Sequence, residues 1–133
     1  MSLLIAGATF TLAGCSSTEI TSAQSTQIEP ERVLSQTYST SSEGAQRIEI
    51  VRDGGLVGSG VRIIISVDGE DVAIMKSGEN VVVYLPPGRH LVTASPKSFG
   101  QRGGATPTMV IVPGKTNELR VGSTSNGFFI VSR

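Results

Sequence analysis

From residue 47 onward the chain alternates apolar and polar positions in short runs punctuated by turn residues. "RIEIVR" (47–52) alternates polar and apolar. "VRIIISVD" (61–68) sets Val61, Ile63, Ile65 and Val67 on one face, because successive strand side chains point to opposite sides of a sheet. Asp68-Gly69 comes next and predicts a hairpin, since a type I′ turn needs positive φ at both central residues. "DVAIM" (71–75) reads as the return strand, Ser77-Gly78 as a turn, and "NVVVYL" (80–85) as the most β-like run. Pro87-Gly88 meets the demands of the two central positions of a type II turn, and Pro113-Gly114 repeats the device. Between them lie "HLVTAS" (90–95) and "TMVIV" (108–112). "NELRV" (117–121), a turn at Asn126-Gly127 and "FFIVS" (128–132) complete the series. No stretch shows a helical period. The pattern predicts an all-β domain over 45–133, a small β-sandwich of about seven to eight strands.

Several strands, "IIIS", "VVVY", "MVIV" and "FFIV", are apolar on both faces. An open two-layer sandwich should leave one face of each sheet to water. The pattern therefore predicts a cover over the second face. The candidates are the N-terminal segment, another chain, or a partner strand added to an exposed edge.

Residues 16–44 have a different texture, rich in Ser, Thr, Gln and Glu. Ile20, Ile28, Val33, Leu34 and Tyr38 follow no period. A segment with so little apolar surface does not offset its ordering entropy, so 15–44 reads as a flexible tether. The alternative is a first strand of the domain at 33–38. Before it, Leu3, Leu4, Ile5, Ala6, Ala8, Phe10, Leu12 and Ala13 form an apolar run. It is shorter than the roughly 17 to 25 residues of a membrane span and fits the apolar core of a secretory signal at 1–14.

Leu12-Ala13-Gly14-Cys15, placed at the end of that run, resembles the lipobox of bacterial lipoproteins. The resemblance implies cleavage before Cys15, a diacylglycerol on its thiol and a further acyl chain, such as palmitate, on the new N-terminus. Two or more chains hold a protein stably on a membrane where one holds it marginally. Ser16 stands where an Asp tends to retain such proteins in the inner membrane, so the resemblance points to an outer-membrane lipoprotein facing the periplasm. Further along, Asp68-Gly69 and Leu85-Pro86-Pro87-Gly88-Arg89-His90, with Val112-Pro113-Gly114-Lys115-Thr116 later, resemble PEGA-type and related envelope lipoprotein domains. This resemblance, over roughly 48–121, implies an immunoglobulin-like sandwich in the cell envelope and implies no activity.

Composition narrows the chemistry. Lys and Arg total 11 and Asp and Glu total 11, so the chain lacks the clustered basic footprint of a nucleic-acid binder and shows no polybasic run for anionic lipid. One Cys excludes an intramolecular disulfide and a multi-cysteine zinc site. His90, the single histidine, has Asp68, Asp71 and Glu79 as conceivable partners but reads more simply as a half-exposed strand start. Asp68-Gly69-Glu70-Asp71 reads as a charged hairpin tip, not a calcium loop. "DGGLVGSG" (53–60) leads into a strand and not a helix, so it reads as a pliable loop and not a phosphate cradle. The loop at 95–107 presents Lys97, Phe99 and Arg102, an aromatic between two cations, as a candidate partner-contact site.

The expectation is a non-enzymatic structural or assembly component. It would be anchored at Cys15 and would act through a protein partner or self-association, with no cofactor, metal, nucleic acid or small-molecule substrate. The alternative is a periplasmic glycan- or peptidoglycan-binding module, for which the chain offers no Trp and only Tyr38 and Tyr84.

Overall fold

The computed structural model describes residues 15–98, 101, 102, 107–112, 114, 115 and 117–133. The expected signal segment, 1–14, lies outside them. Among the described residues ten strands follow in chain order: β1 (Thr26–Gln27), β2 (Gln46–Arg52), β3 (Arg62–Val67), β4 (Glu70–Met75), β5 (Glu79–Leu85), β6 (His90–Ser98), β7 (Gln101–Arg102), β8 (Thr108–Ile111), β9 (Glu118–Thr124) and β10 (Gly127–Ser132). Two single 3₁₀ turns, Ser22–Gln24 and Pro30–Arg32, are the only helical pieces among the described residues. The eight strands read from the pattern are β2 to β6 and β8 to β10. The two-residue β1 and β7 carried no signal of their own.

The strands form two sheets. Sheet one runs β1-β5-β2-β9-β10. Sheet two runs β4-β3-β6-β7, with β8 also paired to β6. The β1–β5 and β2–β9 pairs are parallel and the rest antiparallel. This is an all-β sandwich. Its core is the period-2 set of the facing strands: Ile48 and Ile50 of β2, Ile63, Ile65 and Val67 of β3, Val81, Val83 and Leu85 of β5, and Leu119 and Val121 of β9. Each such side chain, fully buried, contributes about 1.5–3 kcal/mol. The β5 alternation is clean, with Asn80, Val82 and Tyr84 on the other face and only half-buried.

The Asp68-Gly69 hairpin has the expected backbone, with φ of 49° and 84°. Its Asp side chain does further work: one carboxylate oxygen accepts the Leu91 backbone N–H at 2.8 Å and ties the β3–β4 turn to β6. Gly88 lies at φ 113°, as the Pro87-Gly88 turn requires. Pro113 of the second such pair is outside the described residues.

The expected flexible tether is corrected by the structure. Residues 16–38 are packed on the sandwich, and the domain begins well before residue 45. Residues 16–27 cross the outer face of sheet one: Ser16 bridges Thr124, Thr18 bridges Gly54, and β1 adds a parallel strand beside β5. Residues 28–38 then seal the open seam between β5 and β4. Ile28 is buried in the core, and Val33 and Tyr38 pack against it. Val33 bridges Ala73, and the Tyr38 carbonyl accepts the Tyr84 N–H at 2.8 Å. The alternative first strand at 33–38 is thus realised only as one bridge and one such bond. The segment is polar, and its side chains bond to polar groups of the sandwich. Arg32 makes a two-pronged bond to Glu79, 2.5 Å on each arm, and donates to the Ile74 carbonyl at 3.0 Å. Both partners are buried.

Candidate functional site

Cys15 is exposed and its thiol is free. The chain around it is fixed at once. The Cys15 carbonyl accepts the Ser125 N–H at 3.2 Å, and Ser17 N–H donates to the Ser123 carbonyl at 2.8 Å. The Ser17 hydroxyl donates to Asp53 at 2.6 Å and accepts the Ser123 N–H at 2.8 Å. Asp53 is buried and receives both prongs of the Arg120 guanidinium, at 2.8 and 2.7 Å. That bond raises the Arg120 pKa above its ordinary value. Two residues after the thiol, therefore, the backbone is locked to the β9–β10 turn.

Several connections share this end of the sandwich. Strands β2 and β9 finish here, while β3, β5 and β10 start here. The glycine-rich loop 53–61 closes against β9 and β10: Ser123 donates to the Val57 carbonyl at 2.9 Å, and a side chain at Gly58 would collide with Ser123 and Phe128. Arg52 staples three pieces together. It donates to the Met75 carbonyl and the Gly58 carbonyl, each at 2.8 Å, and lies 5.6 Å from the Phe128 ring centre. Burial lowers its pKa to about 10, which still leaves it charged at neutral pH. The loop "DGGLVGSG" is thus held in place, with Leu56 standing out at its tip, 92% exposed.

The expected partner loop at 95–107 is only partly a loop. β6 continues through Lys97 to Ser98, and Lys97 stands opposite Arg102 in the β6–β7 pair. The structure therefore brings these two positions into one short hairpin, beyond Arg62 of β3, which pairs Lys97 on the other side. Phe99 lies outside the described residues.

His90 and the acidic residues do not converge on a catalytic arrangement. Its two ring nitrogens lie 2.7 Å from an Asp68 carboxylate oxygen and 2.7 Å from the Pro86 carbonyl, so neither is left for a substrate. The Leu91 N–H, and then His90, hold the Asp68 carboxyl below its ordinary range. Asp71 takes the Ser66 hydroxyl at 2.7 Å, and Glu79 is committed to Arg32. Among the described residues no three His, Cys, Asp or Glu side chains cluster as metal ligands.

The outer faces answer the question of cover. On sheet one, Val51 is fully buried outside the main core. The Phe129 ring lies beneath the Arg120 guanidinium at 5.1 Å and directly over Gly122, where a β-carbon would overlap the ring. On sheet two, Leu91 and Val110 are register partners across β6 and β8, 44% and 50% exposed, with Val112 beyond them at 39%. A groove of about 370 Å³ separates the N-terminal segment from β5 and includes Gln27, Arg47, Asn80 and Tyr84. Tyr38, the other tyrosine, packs against the core.

The Ser17–Asp53–Arg120 lock and the Arg32–Glu79 pair were not read from the sequence, because partners 36, 67 and 47 residues apart leave no local pattern. Leu56 did leave one: with Val57 it forms an apolar pair set among glycines. Comparison of the chain with known protein families, with curated proteins and with solved structures finds no match.

Proposed function

We propose that this chain is a bacterial envelope lipoprotein, cut before Cys15, acylated there and held on the outer membrane with its β-sandwich in the periplasm. The observation that carries the reading is Leu12-Ala13-Gly14-Cys15 at the end of an apolar run. The exposed position of Cys15 at one extremity of the sandwich supports it, since an acylated thiol has to leave the protein surface freely. Its role is structural, as a non-enzymatic assembly component, and the PEGA-like likeness belongs to the same reading. The surface we assign to a protein partner is the apolar strip Leu91, Val110 and Val112, where two register-paired side chains and a neighbour remain exposed on sheet two. Engagement of the His90 nitrogens and dispersal of the carboxylates argue against hydrolysis.

Intact mass of the protein extracted from bacterial membranes tests the anchor. Loss of residues 1–14 with the added mass of a diacylglycerol and one acyl chain is expected, and Cys15→Ala should abolish it. An unmodified, uncleaved chain overturns the reading. Elution from detergent-solubilised membranes tests the role: co-elution with an envelope complex that Leu91→Thr/Val110→Thr removes supports it, and unchanged elution of that variant overturns the assigned surface.

A further inference from the structure

We infer that the Cys15 end of the sandwich is a lipid-contacting surface that sits directly on an anionic phospholipid bilayer, with Leu56 dipping among the acyl chains. The inference rests on the acylation of Cys15 proposed above and adds the orientation of the domain.

Three observations carry it. First, there is no slack. Ser16 already bridges Thr124, and Ser17 is bonded to Ser123 and Asp53. A residue spans at most about 3.6 Å, so acyl chains on Cys15 bring the 125–126 turn to the headgroups. A sandwich on a free tether would have no such preferred end.

Second, Leu56 is the most exposed large apolar residue among those described, at 92%. It does not hang on a loose loop. The Leu56 carbonyl accepts the Ser59 N–H and hydroxyl, the Val57 carbonyl accepts Ser123, and Arg52 holds the Gly58 carbonyl. A rigid loop that presents one apolar side chain to water, beside a thiol carrying lipid, has the form of a membrane insertion tip.

Third, the fold collects charge that the sequence disperses. Arg62, Lys76 and Lys97 are exposed at this end, and among the described residues none has a carboxylate within ion-pair distance. The carboxylates of this end, Asp53 and Glu79, are buried and paired with Arg120 and Arg32. Glu19 is tied to Arg120 and Arg133. Glu29 and Glu31 lie to the side, next to Arg32 on the β4–β5 seam. Asp68 and Glu70 stand at the opposite end, at the β3–β4 turn. A formally neutral chain thus presents a basic end, and surface cations near anionic headgroups are attracted within a Debye length.

The test uses the protein as extracted from membranes, placed in vesicles containing phosphatidylglycerol. An environment-sensitive fluorophore is attached at Leu56→Cys or, as the control for the far end, at Lys115→Cys. The acylated Cys15 thiol does not label. Lipids carrying a quencher just below the headgroups are expected to quench the probe at 56 and to spare the probe at 115. Arg62→Gln/Lys97→Gln should weaken the docked orientation by about fivefold per charge at low salt. Acylated protein whose probe at 56 is no more quenched than the probe at 115 overturns this inference and leaves the anchor standing. Unacylated protein that stays off the vesicles overturns both, and mass measurement on the same sample tells the two failures apart.

Discussion

Sheet one carries Val51, Asp53, Arg120 and Phe129 on its outer face, and residues 16–27 lie across that face. Sheet two carries Leu91, Val110 and Val112 on its outer face, and among the described residues these remain 39–50% exposed. Both faces gave the same signal in the sequence, strands apolar on two sides. On sheet one the chain supplies its own cover, and that cover is polar: Ser17 to Asp53, Ser22 to Glu49, Asn80 to Ser25, Glu19 to Arg120 and Arg133. On sheet two the centre is buried, Ile64 at 8%, and among the described residues the margin at β6 and β8 stays exposed. The contrast shows that burial of a second face does not require an apolar cover. An extended segment with matched hydrogen bonds does it, because groups paired across the interface lose little on leaving water.

The largest effect should come from breaking the cover. Glu79→Ala leaves the buried Arg32 guanidinium without its two-pronged partner, with only the Ile74 carbonyl and the exposed Glu29 beside it, which costs about 3–5 kcal/mol. The midpoint of urea denaturation should fall accordingly, and backbone amides of residues 26–34 should exchange faster with solvent. A shift below 1 kcal/mol would mean that the 28–38 seal contributes little. Next is Gly122→Ala, whose β-carbon meets Phe129 and Asp53. Displacing that ring from Arg120 should cost roughly 1–3 kcal/mol, read by thermal unfolding.

Acid should separate the regions as well. Asp68 and Glu79 both have carboxyls held below their ordinary values. For Asp68 the cause is the Leu91 N–H, then His90. For Glu79 burial pushes upward, but Arg32 and the Lys76 N–H outweigh it. A depressed folded pKa gives stability that is present above the unfolded value, about 4, and is lost as pH falls through the folded value. Stability should therefore decline below about pH 4. Asp68→Asn should flatten that decline modestly, by about 1 kcal/mol or less, since its side chain is 39% exposed. The smallest effect belongs to the bare face. Leu91→Thr/Val110→Thr should leave stability within about 0.5 kcal/mol, measured by the same urea titration. A loss above about 2 kcal/mol would show that this margin serves the fold and not a partner.

What the sequence determined by itself is the set of eight strands and the turns between them. These are local properties. Side-chain alternation follows from the pleat, and Asp68-Gly69 and Pro87-Gly88 carry their backbone conformations with them. Its reading of residues 16–38 failed because composition measures only how much apolar surface a segment brings. It does not register that Ser17 meets Asp53 or that Arg32 meets Glu79. The same holds for Arg62, Lys76 and Lys97, which are scattered along the chain and gathered at one end only when β3, β4 and β6 are aligned. Tertiary structure decided these matters because hydrogen bonds and charges act through space, and the distances that set their strength do not exist until the chain has folded.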